Sequence, residues 1–330
     1  MIYLIDYNQN GHRPFYGKLY EKYIKNSKYV VVDNLKNYYL LFKNKKIYFL
    51  TGDDYFIRTL LIALIRGIFN KKTFINHYHL DYLFKQDLKS KIKRNLIFFL
   101  KKFFSKKIIL IHFNENKKDI LDEIYIYIPE IYFGFNFNYD FNDKKIKIFF
   151  GGAISKRKGF NKLIEGIYKY YSMNKRRDFV LYIVGSIDYN LSTEISKKLN
   201  YLINKKVIVR INERLNDYEF DSYIFNSNLI VLPYLKSFNS NSGILSKAIF
   251  YEKLILSSNH GYIGEFIRKY DLGILFDIDN IEDFVHKFDQ SINNYFILIN
   301  KFKPNLKKIK KMHSLETVFS KINGIINEKE

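Results

Sequence analysis

Short, unbroken apolar runs punctuate the chain at residues 3–5, 29–32, 47–50, 73–75, 108–111 and 125–128, and again at 146–150, 180–184, 207–211, 229–232, 254–257 and 273–276. Stretches of helical length separate them. Unbroken apolar runs alternating with amphipathic helices are the pattern of parallel strands covered by helices on both faces. The expectation is therefore an α/β chain with two parallel sheets of similar strand number. Between the two sets, residues 133–143 (FGFNFNYDFND) have no helical period and are rich in Asn and Asp, so they read as a linker with the domain boundary near residue 140. Beyond residue 276 the pattern is helical to the end. Those terminal helices are expected either on the outside of the second domain or packed back on the first. Ligands of open α/β sheets sit beyond the carboxyl ends of the strands, so chemistry is sought in the segments directly after each run.

Composition narrows the class. A length of 330 residues suits two domains of ordinary size. The chain is 47% hydrophobic, and its 31 Phe and 29 Tyr supply large buried areas although Trp is absent, which excludes a disordered chain. The absence of Cys excludes a disulfide framework, a thiolate metal site and a cysteine nucleophile. Residues 1–6 lack a basic stretch and a cleavage site, so they read as a first strand. The longest apolar stretches are broken by Lys or Arg well short of the roughly 20 residues of a membrane span. The expected location is cytoplasmic, with a peripheral place on the inner membrane face as the alternative.

The net charge of +22 has two sources: a surface facing a polyanion, or a general bias toward Lys, Asn, Ile, Tyr and Phe. Charge is informative only where it clusters. Residues 84–107 alternate Lys or Arg with Leu, Ile and Phe at near-helical spacing, which suits a helix, or a pair of helices, on an anionic membrane surface. The same pattern suits a core-facing helix with a solvated lysine face. The cluster at 301–311 carries the same two readings. A nucleic-acid binder is the non-enzymatic alternative, but no helix-turn-helix, zinc finger or RNP-like strand is recognisable.

Two segments could cradle an anion. Residues 151–159 (GGAISKRKG) follow an apolar run and precede a helical stretch, bringing three glycines and three cations to a strand-to-helix turn. Residues 233–248 (PYLKSFNSNSGILSKA) follow another run. There Ser240 or Ser242 can cap a helix whose apolar period begins at Ile244, and Gly243 lets an anion approach the first-turn amides. A third turn, residues 259–265 (NHGYIGE), follows the next run. Each alone is also an ordinary capped helix or glycine turn.

Taken in order and spacing, these segments resemble the donor domain of the family 4 retaining glycosyltransferases. The residues that carry the likeness are the Gly-Gly-x5-Lys-Gly-Phe loop, Tyr182-Ile183-Val184-Gly185, Asn228 through Tyr234, Ser242-Gly243 with Ala248, and Ser257-Ser258-Asn259-His260-Gly261. The resemblance covers residues 146–280. It implies the GT-B fold: two Rossmann-like parallel-sheet domains facing across a cleft, with residues 1–140 binding the acceptor and 141–330 the nucleotide-sugar donor. The implied activity is retaining transfer of a sugar from a nucleotide-diphosphate donor to a glycan or lipid-linked acceptor, in cell-surface polysaccharide or lipopolysaccharide synthesis. No cofactor beyond the nucleotide-sugar co-substrate is implied, and no metal.

Lys158 stands where the family neutralises the donor diphosphate, and the amides of Asn241, Ser242 and Gly243 stand where it binds the same group. Gly11, Gly152, Gly185 and Ser246 carry over as further donor contacts, and Glu213 and Arg214 fall where the base is recognised. The family's arginine before the lysine falls on Gly152, leaving Arg157 or Lys156 to substitute. Its paired glutamates, eight residues apart, fall on Asn239 and Lys247. A branch with a Ser-Ser-Gly-like loop in place of the first acid is the nearer relative. A nucleotide-sugar epimerase on the same scaffold is a second enzymatic reading.

In the first half, His77 and His79 share one face of an extended segment, where either could present an imidazole to the sugar or acceptor; packing histidines would look the same. His12, beside Gly11 at the end of the first strand, is a further candidate by position. The acidic pairs Asp53-Asp54 and Asp277-x-Asp279 read as helix-start or loop acids, without the further ligands a hard cation needs.

Overall fold

The structure is a computed structural model that describes residues 1–8, 13–32, 35–78, 80–115, 118–138, 145–174, 178–238 and 240–328. The chain divides into two compact units, residues 1–130 with 315–330, and residues 131–314.

The first unit holds a parallel sheet of order β2-β1-β3-β4-β5-β6. Its strands are β1 (Ile2–Asp6), β2 (Ser27–Val31), β3 (Lys46–Phe49), β4 (Thr73–His77), β5 (Ile108–His112) and β6 (Ile126–Tyr127). The helices are α1 (Arg13–Tyr23), α2 (Leu35–Tyr38), α3 (Phe56–Ile68), α4 (Leu88–Phe104) and α5 (Lys118–Leu121). The second unit has a parallel sheet of order β12-β11-β10-β7-β8-β9. Its strands are β7 (Ile146–Gly151), β8 (Phe179–Val184), β9 (Ile208–Ile211), β10 (Leu229–Leu232), β11 (Leu254–Ser258) and β12 (Ile274–Phe276). Its helices are α6 (Phe160–Asn174), α7 (Thr193–Asn204), α8 (Asp217–Phe225), α9 (Gly243–Phe250), α10 (Gly261–Tyr270), α11 (Ile281–Asn293) and α12 (Tyr295–Met312). Every apolar run read from the sequence overlaps one of these strands. The physical cause is burial on both faces: β1, β4, β10 and β11 are buried at every position.

The division of the chain falls at residues 130 and 131, earlier than the linker pattern suggests. The segment before residue 139 belongs to the second unit because its aromatics are used there. Tyr132 stacks on His313 at 3.9 Å, and its amide donates to the His313 carbonyl. The Phe135 amide donates to the Tyr251 hydroxyl at 2.8 Å, and Phe137 packs on Phe225. Residues 139–143, the rest of the expected linker, lie outside the described residues.

After α12 the chain returns to the first unit as α13 (Leu315–Asn327), which buries Val318, Phe319, Ile322, Ile325 and Ile326 along one helical stripe. Phe319 stacks on Tyr23 at 4.8 Å and meets Tyr20 edge-on at 5.0 Å. Lys46 donates to the Ile326 carbonyl at 2.6 Å, and the Asn323 amide donates to that of Tyr23 at 3.1 Å. Hydrogen bonds at both ends of the aromatic contact fix the helix in place.

Candidate functional site

The chain leaves β7 for β8 and β9 on one side, then returns to β10 on the other side of β7. The two connections diverge and open a crevice beyond the carboxyl ends of β7 and β10, the switch point where open α/β sheets bind ligands. The loops that border it are residues 151–159 and 233–242, the two anion-cradle segments.

These loops are in contact. Gly159 has φ +71°, and a β-carbon there would lie 1.7 Å from the Pro233 carbonyl oxygen, so only glycine fits the approach. The Leu235 amide donates to the Arg157 carbonyl at 2.9 Å, and the Arg157 guanidinium lies over the Phe238 ring at 4.9 Å. The ring contact holds the exposed Arg157 at the mouth of the crevice; Lys156 beside it is also exposed.

Lys158 closes a single 3-10 turn (Lys156–Lys158), and its ammonium turns back to donate to the Gly151 carbonyl at 3.2 Å. Gly152 has φ +86°; a β-carbon there would meet the Lys158 ammonium at 3.0 Å and the Ile244 side chain of α9 at 3.7 Å. The lysine, the bare Gly152 backbone and the first turn of α9 therefore surround one small space. Burial and the neighbouring Arg157 charge lower the Lys158 pKa to about 8, against a smaller upward pull from Asp188. A second negative partner would suit this ammonium.

Ser242 is the residue that caps α9. Its hydroxyl accepts from the Leu245 amide and pairs with the buried Tyr234 hydroxyl at 2.9 Å. Gly243 opens the helix with nothing within 4 Å of a β-carbon added there, so its backbone faces open space at the positive end of the helix dipole. Asn241 is half-buried just before the cap, and the Ser246 hydroxyl donates to the Ser242 carbonyl at 3.2 Å. Gly185, at the end of β8, runs so close to Gly152 that a β-carbon would sit 2.3 Å from its carbonyl oxygen. The structure thus brings Gly152, Arg157, Lys158, Gly185, Ser242, Gly243 and Ser246 to one edge of one sheet. Glu213 and Arg214 are exposed on the segment between β9 and α8, farther along the same sheet.

Lys247 is not free to serve a ligand. It forms a 2.7 Å ion pair with the buried Asp221 on α8, which also accepts from the Tyr251 hydroxyl at 2.8 Å. Sequence reasoning missed Asp221, since no local pattern links it to Lys247. Asn239 lies outside the described residues.

His260, Asp277 and Asp279 gather within 4.8 Å, a third member that the acidic pair alone did not suggest. Asp279 is already compensated by Lys236 at 2.7 Å, and Asp277 accepts the Asp279 amide. Asp54 pairs with Arg13 at 2.6 Å, and Asp53 accepts the Tyr78 amide.

One expectation for the first unit is corrected. His77 ends β4 fully buried, bonded through Nδ1 to the Tyr125 hydroxyl at 2.9 Å and stacked on Phe56. Burial, with the Lys93 charge second, lowers its pKa to about 3, so it is a neutral packing residue and presents no imidazole to a substrate. Gly11, His12 and His79 lie outside the described residues. Among the described residues no helix is long and apolar enough to cross a membrane.

No protein of curated function matches the chain in sequence. Solved structures do match in fold. HepE from Anabaena, in complex with UDP, is 12% identical over 98% of each chain with a TM-score of 0.68. Sucrose-phosphate synthase from Thermosynechococcus elongatus is 11% identical over 98% of each chain, with a TM-score of 0.62. WaaG, a glycosyltransferase involved in lipopolysaccharide biosynthesis, is 10% identical over 100% of each chain, with a TM-score of 0.59. At these identities the likeness establishes the GT-B fold. The family model described as "Glycosyl transferases group 1" matches residues 135–309, which include both loops of the switch point. That segment is more than half of the 330 residues, and on this ground the protein belongs to the group 1 glycosyl transferases.

Proposed function

We propose that the second unit binds a nucleotide-diphosphate sugar by its diphosphate, against Lys158, the Gly152 backbone and the first-turn amides of α9. The observation that carries this reading is the convergence of those three on one space at the switch point. Arg157 adds a second cation at the mouth, and the exposed Glu213 and Arg214 recognise the base. UDP is the first candidate, because the structurally similar HepE was solved with it.

The sugar moves to a glycan or lipid-linked acceptor held by the first unit, with retention of configuration. The acceptor oxygen bonds to the anomeric carbon on the face from which the diphosphate departs, and its proton passes to the departing phosphate oxygen. Negative charge grows on the diphosphate in that step, and preorganised cations and amides stabilise it where it develops. Lys158, Arg157 and helix amides supply this charge, so the reading requires neither a metal nor a cofactor. The setting is cell-surface polysaccharide or lipopolysaccharide synthesis on the cytoplasmic side, with the chain peripheral to the membrane.

A thermal-shift series across nucleoside diphosphates and their sugars tests the donor site without knowledge of the acceptor. One diphosphate is expected to raise the midpoint saturably, with no change on adding EDTA. The absence of any such ligand would overturn the reading. Anomeric NMR of the product tests retention.

A further inference from the structure

Helix α3 has an unusual solvent side. Its exposed residues are Ile57, Leu61, Ile65 and Ile68, between 39% and 63% accessible, and all are apolar. Their spacing of four, four and three places them on one stripe. Phe69 extends the stripe past the helix end. From sequence alone such a helix, apolar all round, belongs inside a core.

The stripe has a neighbour. Helices α3 and α4 make successive crossovers between β3, β4 and β5, which right-handed connection puts on one face of the sheet. They touch where a β-carbon on Gly67 would lie 2.7 Å from the Phe104 ring. α4 exposes Leu88, Ile92, Phe99 and Phe103 along its own stripe, with the last two rings 4.8 Å apart. Lys89, Lys91 and Lys102 are exposed beside them. No acid occurs in residues 55–80 or in α4. Helix α12, equally rich in lysine, behaves differently along most of its length: beyond the exposed Phe296 and Ile297 of its first turn, Phe302, Leu306 and Ile309 are buried while Lys301, Lys303, Lys307, Lys308 and Lys311 are exposed. Lysine content alone therefore does not produce an apolar outer face.

We infer that α3 and α4 together form a docking face for an anionic lipid leaflet, with the apolar stripes entering the acyl boundary and the α4 lysines meeting the headgroups. Apolar stripes exposed on two packed helices call for a partner, and the cations along α4 match anionic lipid. A second copy of the chain would fit poorly, because a two-fold contact would set these lysines against their own equivalents. The inference deepens the peripheral-membrane part of the proposed function and rests on it. It assigns the contact to α3 as well as the basic helix, and it is read without sugar transfer.

The test is co-sedimentation of the full chain with vesicles of phosphatidylcholine, alone or with about 30% phosphatidylglycerol, at low and high salt. Binding to the anionic vesicles is expected to be at least tenfold stronger and to weaken with salt. The double variant Leu61→Glu/Ile65→Glu is expected to lose at least tenfold in binding, with unchanged thermal midpoint and unchanged stabilisation by UDP. Lys307→Gln/Lys308→Gln on α12 is expected to bind as the parent does. Failure of the parent to bind anionic vesicles would overturn both this inference and the membrane reading. Binding that survives Leu61→Glu/Ile65→Glu would overturn the inference alone, as would a dimer in solution that the same variant dissociates.

Discussion

The Lys158 ammonium donates to the Gly151 carbonyl at 3.2 Å, so the lysine is folded back over the end of its own strand and does not extend into solvent. That hydrogen bond holds the charge at the crevice before any ligand arrives. Replacing the side chain removes charge stabilisation and little packing. Lys158→Ala is expected to lower kcat/KM for the donor at least tenfold, about 1.4 kcal/mol, with an unchanged thermal midpoint. Unaltered kinetics would take Lys158 out of the reaction.

The depressed pKa gives the same residue a pH signature. Below about 8 the ammonium is charged and a diphosphate finds it ready; above that, binding has to bring a proton with it. Donor affinity is expected to fall as pH rises through about 8. Calorimetry in two buffers of different ionisation enthalpy is expected to show proton uptake there. Lys158→Arg, charged throughout, is expected to abolish that uptake.

Two glycines at the crevice predict opposite outcomes. In Gly159→Ala the new methyl collides with the Pro233 carbonyl at a backbone already in the left-handed region, so stability is expected to fall by roughly 2 kcal/mol or more. In Gly243→Ala the methyl enters open space at the start of a helix, so stability is expected to hold or rise slightly. If the diphosphate occupies that space, Gly243→Ala weakens donor binding while the fold is intact. Paired denaturation and donor titration separate the two effects.

The strands were legible in the sequence because burial on both faces of a parallel sheet leaves an unbroken apolar run, and the anion loops because glycine and lysine cluster where strand turns to helix. Depth was not legible. His77 shows its strand in the pattern but not that Phe56 and Tyr125 enclose it. The run at residues 60–68 looks like core, yet Leu61, Ile65 and Ile68 face outward, since periodicity does not distinguish a core from another apolar partner. The boundary at residue 130 was hidden because the segment after it has no period of its own and is placed by Tyr251 and His313, far along the chain.

Lys247 and Asp221 offer a stability test. Asp221 is buried, and removing it leaves the Lys247 ammonium without its partner at 18% side-chain exposure. Asp221→Ala is expected to destabilise by about 3 kcal/mol, since an uncompensated buried charge is the dominant penalty. The double variant Asp221→Ala/Lys247→Met is expected to recover most of the loss in urea unfolding. Lys247→Glu, which writes in the acid found at that place in the resembling family, would face Asp221 and is expected to destabilise.

Asp6 and His77 pull the acid stability of the first unit in opposite directions. Burial pushes the Asp6 carboxyl up to about 6, against hydrogen bonds from Thr51 and Tyr29 that favour its charge. Between about pH 4 and 6 the folded chain thus holds a proton at Asp6 that the unfolded chain has lost, and stability falls as pH rises through that window. His77 is the reverse. Lowered to about 3, it stays neutral in the fold while the unfolded chain protonates below about 6.5, so stability falls as pH falls. Over pH 4–6 the two slopes largely cancel in the parent protein. Asp6→Asn is expected to remove one and leave a steep loss of stability on acidification, while His77→Gln is expected to leave stability rising as pH is lowered from 6 toward 4. Urea midpoints at half-unit pH steps read both slopes directly, and equal slopes in the two variants would show that neither group carries the shift assigned to it.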